Sequence, residues 1–137
     1  MDKIGIYFSI LGNNRRIASE MAEKENYDFI EFAPGNILRV FQFFSGKKRL
    51  VKKAQKLNPQ IENFNNIILH GPIWAAKPAP AIMKLIENLN LTGKSVSCHF
   101  TYTQDYGATE EMVKEVISSK GAQINEITFT NISKKKQ

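Results

Sequence analysis

Short apolar runs alternate along this chain with stretches that repeat at helical spacing, and that alternation predicts a wound α/β fold. Residues 3–8 (KIGIYF) read as a first buried strand, followed by a turn of small and polar residues at 9–14. Ile17, Ala18, Met21 and Ala22 then share one helical face, with Asn13 or Asn14 as the expected cap. Tyr27–Phe32 is the second strand, stopped by Pro34-Gly35. Residues 37–45 fit either a helix or an aromatic-rich loop. A helix is expected from Lys47 to Leu57, with Leu50, Val51, Ala54 and Leu57 on its apolar face.

The chain is organised around residues 65–86. Ile67, Ile68 and Leu69 form a strand apolar on both faces, expected to break at Gly71-Pro72 into a loop carrying the only tryptophan, Trp74. Pro78 and Pro80 end that loop. Apolar residues at 79, 82, 83 and 86 then line a helix that tolerates proline in its first turn. A loop so placed lies at the carboxyl edge of a parallel sheet, where open α/β folds bind ligands. Trp74 is there either as a stacking surface or as a half-buried core residue.

Ser95–Tyr102 is the fourth strand, and the loop after it leads to a helix with Thr109 at the cap, Glu110 and Glu111 in the first turn and Gly121 beyond the end. Its inner face is Met112, Val113, Val116 and Ile117, and Ala122–Asn131 is the fifth strand. Five strands call for five helices, and the sequence supplies four, the last being absent. Val96, Cys98 and Phe100 alternate with Ser95, Ser97, His99 and Thr101, and Ile127 and Phe129 with Thr128 and Thr130. The expectation is a polar sheet face that is either wet or closed by a second copy of the chain.

At 137 residues, 42% hydrophobic and 23% charged, the chain is expected to be one domain over 1–132 with a basic tail at 133–137. One cysteine, Cys98, excludes an internal disulfide, and the start MDKIGIYF lacks a leader pattern; both suit the cytoplasm. No run is long enough to span a bilayer, and two histidines with one cysteine make no metal site. The net charge of +6 is unusual. Six of the ten residues from Lys47 to Lys56 are basic, either as a solvated helix face or as a dock for an acidic partner. No aromatics interleave with them, so nucleic acid is a poor fit.

Three loops carry the candidate chemistry. Ser9–Ala18 places small polar residues and backbone N–H groups at a helix start, with Arg15 and Arg16 nearby; it is either an ordinary capped turn or a phosphate seat. The Trp74 loop and the loop 101–107, with Tyr102, Tyr106 and Gly107, add aromatic surface. A phosphate seat beside aromatic loops fits a phosphorylated planar ligand.

In this order of loops the chain resembles the flavodoxin family over nearly its whole length. Ser9, Gly12, Asn13 and Ala18 match the family's Ser/Thr-x-Thr-Gly-Asn-Thr loop and the alanine after it. GPIWAAKPAP is similar to its Gly-x-Pro-x-Trp loop, and Asp105-Tyr106-Gly107 to its tyrosine loop. The resemblance implies a flavodoxin-like open parallel five-stranded sheet of order 2-1-3-4-5, and FMN bound without a covalent link. It places phosphate at Ser9, Leu11, Gly12, Asn13 and Asn14. The ring would lie among Pro72, Ile73, Trp74, Ala75, Thr101, Tyr102, Thr103, Tyr106 and Gly107. It also implies an electron carrier working between redox partner proteins; the basic charge of this chain would suit acidic ones.

Two departures bear on that reading. Leu11 and Asn14 stand where hydroxyls are usual, removing up to two charge-assisted hydrogen bonds of roughly 1.5–3 kcal/mol each, about a hundredfold or more in affinity. The family is acidic and this chain is basic, which favours negative charge on reduced flavin by some tens of millivolts per nearby charge. The second one-electron step should therefore be less reducing than in acidic relatives. Two other functions fit the residues: an FMN-dependent NAD(P)H/quinone-type reductase or dehydrogenase, and a flavodoxin-fold binding module that has lost FMN.

Overall fold

The computed structural model describes residues 2–9, 12–32 and 51–133. The expected helix or loop at 37–45, the start of the basic helix and the tail at 134–137 lie outside the described residues. Five parallel strands run in the order β2 (Asp28–Glu31), β1 (Lys3–Tyr7), β3 (Asn66–Trp74), β5 (Ser95–Tyr102), β6 (Gln123–Asn131). Counting these long strands along the sequence, that is the expected 2-1-3-4-5. A two-residue strand, β4 (Lys77–Pro78), is additional and pairs antiparallel with the end of β3.

One sheet face holds most of the core. Ile4, Ile6, Ile67, Leu69, Val96, Cys98 and Phe100 meet Ile61 of α2 (Asn58–Ile61), Ile82, Leu85 and Ile86 of α3 (Pro80–Asn88), and Val113 and Ile117 of α4 (Thr109–Ser119). Each large side chain buried there contributes about 1.5–3 kcal/mol. Residues 51–55 are helical, and Ala54 and Leu57 join the same core. A bulge in the β5–β6 register between Val96 and Ser97 sets Ile124 and Ile127 on the core side, three residues apart. Gly71 lets α3 press on β3: a β-carbon there would lie 2.3 Å from Ile82 Cγ1.

The opposite face is covered, among the described helices, by α1 (Asn13–Glu25) alone. It buries the small residues Ala18 and Ala22 towards the sheet, Ala22 packing with Tyr27 and Ile68. The expectation of a wet or partner-closed polar face is corrected for β5. Ser97, His99 and Thr101 are only 6%, 8% and 2% exposed within the single chain. Asn14 of α1 bonds Thr101, while Asn125 and Thr128 of β6 bond Ser97 and His99. What stays exposed on that side is Asn125, Glu126 and Thr130 of β6, polar groups that water satisfies. No helix follows β6 among the described residues.

Other expectations shift locally. β3 does not break at Gly71-Pro72 but continues to Trp74. β1 ends at the Tyr7–His70 pair, so beyond His70 that side of β3 is free to take β4 instead. The Pro72 carbonyl accepts the Ala79 N–H at 3.0 Å. Gly12, not Asn13 or Asn14, caps α1, and Ala108 rather than Thr109 caps α4, Thr109 being its first residue. No helix of the described residues is long and apolar enough to cross a membrane.

Candidate functional site

At the carboxyl edge of the sheet, a cleft of about 130 Å³ is bordered by Ser9, Asn13, Asn14, Pro72, Ile73, Trp74, Thr101, Tyr102, Thr103 and Ile132. Parallel β1, β3 and β5 bring their following segments to one rim, so residues far apart in sequence converge there. The first border is the start of α1. Gly12 takes φ 91°, a left-handed value suited to glycine, and turns the chain from β1 into the helix. Its N–H donates to Ser9 Oγ at 2.9 Å. No side chain caps the helix and no acidic residue sits in its first turn, so the first-turn N–H groups and the positive dipole end meet the cleft without a competing carboxylate. Arg15 and Arg16 are exposed beside it, Arg16 reaching Glu20 at 3.7 Å along the helix.

Asn14 is the buried polar member of this group, 3% exposed. Its Nδ2 donates to Thr101 Oγ1 at 2.9 Å, joining α1 to the end of β5, while its Oδ1 is buried with no hydrogen-bond partner. An unpaired buried acceptor costs about 1–3 kcal/mol.

The second border is the β3–β4 hairpin. Trp74 ends β3, half-buried, its ring edge-on to Phe8 with centroids 5.9 Å apart. Ala75 and Ala76 form the turn at φ 53° and 63°, left-handed values where a hairpin of this length normally places Asn-Gly. The third border is Tyr102 with Thr103, and the Tyr102 carbonyl accepts the Ile132 N–H at 2.9 Å, which brings Ile132 to the cleft. Nothing in the sequence pattern singled out Ile132.

Of the residues expected around a ring, Ala75, Tyr106 and Gly107 do not border the cleft. Tyr106 stacks on Phe129 of β6, centroids 4.0 Å apart and planes 13° apart, and stands edge-on to Tyr102 at 5.1 Å. It buttresses Tyr102 from outside. Gly107 packs on Ala76 and donates its N–H to the Asp105 carboxylate at 3.0 Å. Leu11 lies outside the described residues.

Beneath the cleft floor, two residues before Pro72 and Thr101 on the same strands, His70 and His99 stack with centroids 5.2 Å apart. Burial pushes His70 down to about 3, and the neighbouring His99 adds to the fall. Burial also lowers His99, against the opposing pull of Glu126 and Glu25. Neither ring nitrogen of His70 has a partner, and His99 Nδ1 shares a 2.6 Å hydrogen bond with Thr128 Oγ1. Burial raises the Cys98 thiol to about 12, which leaves it inert.

No protein-family model matches the chain, and no curated protein matches it significantly. Solved structures do. A flavoprotein in complex with FMN from Lactobacillus acidophilus is 15% identical, with a TM-score of 0.65 over 98% of this chain and 97% of that one. A Megasphaera elsdenii flavodoxin, solved in its two-electron reduced form, is 18% identical, with a TM-score of 0.64 over 94% and 85%. A Fusobacterium nucleatum flavodoxin bound to flavin mononucleotide is 23% identical, with a TM-score of 0.60 over 90% and 69%. This chain has the flavodoxin-like fold.

Proposed function

We propose that the cleft holds FMN and that the protein carries electrons between redox partners. The observation that carries this reading is a juxtaposition: the uncapped start of α1 and the Trp74 indole border one cleft, a seat for an anion beside a surface for a ring. Among the structurally similar proteins, two are described as bound to FMN and one as a two-electron reduced flavodoxin.

The residues present fit the group. The N–H groups of the first turn of α1 would meet phosphate oxygens, and Ser9, whose Oγ already accepts the Gly12 N–H, keeps its hydroxyl hydrogen to donate. The orphaned Oδ1 of Asn14 would be accounted for by a hydroxyl of the ligand, or by turning the carboxamide over so that its N–H groups meet the phosphate. Trp74 and Tyr102 flank the cleft, each held by another ring, Phe8 behind the first and Tyr106 behind the second.

When bound, the flavin supplies one-electron chemistry. The chain's part would be to bind and to orient: the start of α1 would hold the tail, Trp74 and Tyr102 would flank the ring, and the net charge of +6 would bias the potential. Exposed Arg15 and Arg16 at the rim suit acidic redox partner proteins.

Electron carriage is tested with the flavin-loaded protein and a separate one-electron reductase. The expected result is reductase-dependent reduction of the flavin, then its reoxidation by a one-electron acceptor, with negligible direct oxidation of NAD(P)H. Rapid direct turnover of NAD(P)H or quinone would favour the enzyme reading instead.

A further inference from the structure

We propose that Asn14 sets the ligand's tail specificity, making the seat tolerant of both a phosphate-ended and a hydroxyl-ended flavin. The inference rests on the flavin reading and concerns the same cleft. Asn14 borders the cleft and is 3% exposed, so whatever its carboxamide meets there is not free water. Its Nδ2 bonds Thr101 Oγ1 at 2.9 Å and its Oδ1 is unpartnered.

A hydroxyl both donates and accepts, so Thr101 stays paired whichever way the carboxamide is turned. With the present orientation the unmatched atom is an acceptor, which suits a ligand hydroxyl and repels a phosphate dianion. Turned over, Oδ1 takes the Thr101 hydroxyl hydrogen and the amide N–H groups are offered to phosphate. Either orientation keeps the Thr101 hydrogen bond, so the ligand's tail decides between them. A threonine in this place would have a single hydroxyl hydrogen to divide between Thr101 and the ligand, where the carboxamide has two N–H groups beside its oxygen. Asn14 thereby serves a phosphate or a hydroxyl without giving up Thr101.

The test measures dissociation constants of FMN and riboflavin by flavin fluorescence for the wild type, Asn14→Thr and Asn14→Asp, with folding of each checked by urea unfolding. Riboflavin is expected to bind the wild-type cleft in competition with FMN. Asn14→Thr, with one hydroxyl hydrogen to divide between Thr101 and the ligand, should weaken both flavins by a few fold and leave their ratio near that of the wild type. Asn14→Asp, nearly the same in shape but an acceptor only, should lose FMN by about a hundredfold while keeping riboflavin within a few fold. If both flavins bind and the ratio stays within about threefold across folded variants, the role of Asn14 is wrong while the flavin site stands. If neither flavin binds the folded wild type, the flavin reading fails, and this inference with it.

Discussion

Gly107 lies so close to Ala76 that a β-carbon on it would sit 2.5 Å from the Ala76 carbonyl oxygen and 2.8 Å from the Ala76 Cβ. The hairpin that carries Trp74 and the loop that carries Tyr106 are thus packed backbone to backbone. Gly107 also takes φ 53°, so a side chain is strained there on two counts. Gly107→Ala is expected to destabilise the fold by about 1–3 kcal/mol in urea unfolding. A midpoint unchanged from wild type would mean that the two loops are not held together in this way.

Ala75 and Ala76 present the opposite case, alanines in left-handed conformations that glycine adopts without penalty. Ala75 is exposed, so a substitution there disturbs little else. Ala75→Gly should stabilise the protein by about 1 kcal/mol, read as a raised unfolding midpoint at constant slope. A loss of stability would show that the turn is not strained.

The contact between β3 and α3 gives a third expectation. Gly71→Ala would drive its methyl into Ile82 Cγ1 and Cδ1, at 2.3 and 2.4 Å, within a fully buried part of the core. It should cost about 1–3 kcal/mol as overpacking. Ile82→Ala leaves only Cβ near, at 3.6 Å, so the two changes together should be less harmful than their sum by about 1 kcal/mol or more. Simple additivity would contradict the close approach.

Much of this fold is written in local pattern, and the parts that are not share a cause. β5 is readable from its alternation, its bounds Ser95–Tyr102 as expected, and α3 from its proline start and apolar spacing. The continuation of β3 through Gly71-Pro72 is not, because it depends on where β1 stops and on β4 arriving to pair with Ile73 and Trp74. The hairpin is hidden because Ala75-Ala76 lacks the residues that mark such turns. At the candidate site, the α1 start, Trp74 and Tyr102 stand out in the sequence. The Asn14–Thr101 bond spans 87 positions, and Tyr106 finds its stacking partner on the next strand. Such contacts are set by the packed sheet rather than by neighbours along the chain.

The stacked histidines carry a pH dependence. The folded protein favours neutral His70, holding it near 3 against 6.5 unfolded, and lowers His99 as well. Below pH 6.5 the unfolded chain binds protons that the folded one refuses, so the stability these residues confer is full above that value and is lost as pH falls toward the folded pKa. His70 alone should cost about 2 kcal/mol between about pH 7.5 and 5, with His99 adding in the same direction. Urea midpoints across that range check it, with His70→Gln expected to flatten the slope. A wild-type profile no steeper than that of the variant would remove His70 as its cause.

Whether one cleft seats both tail and ring is decided by titrating FMN into the folded, flavin-free protein while following flavin and Trp74 fluorescence together. The expected result is saturable quenching of both signals at a stoichiometry of about one, with Trp74→Ala weakening binding by about tenfold or more and leaving the fold intact. Flavin fluorescence left unquenched by excess folded protein, or binding indifferent to Trp74, would contradict it.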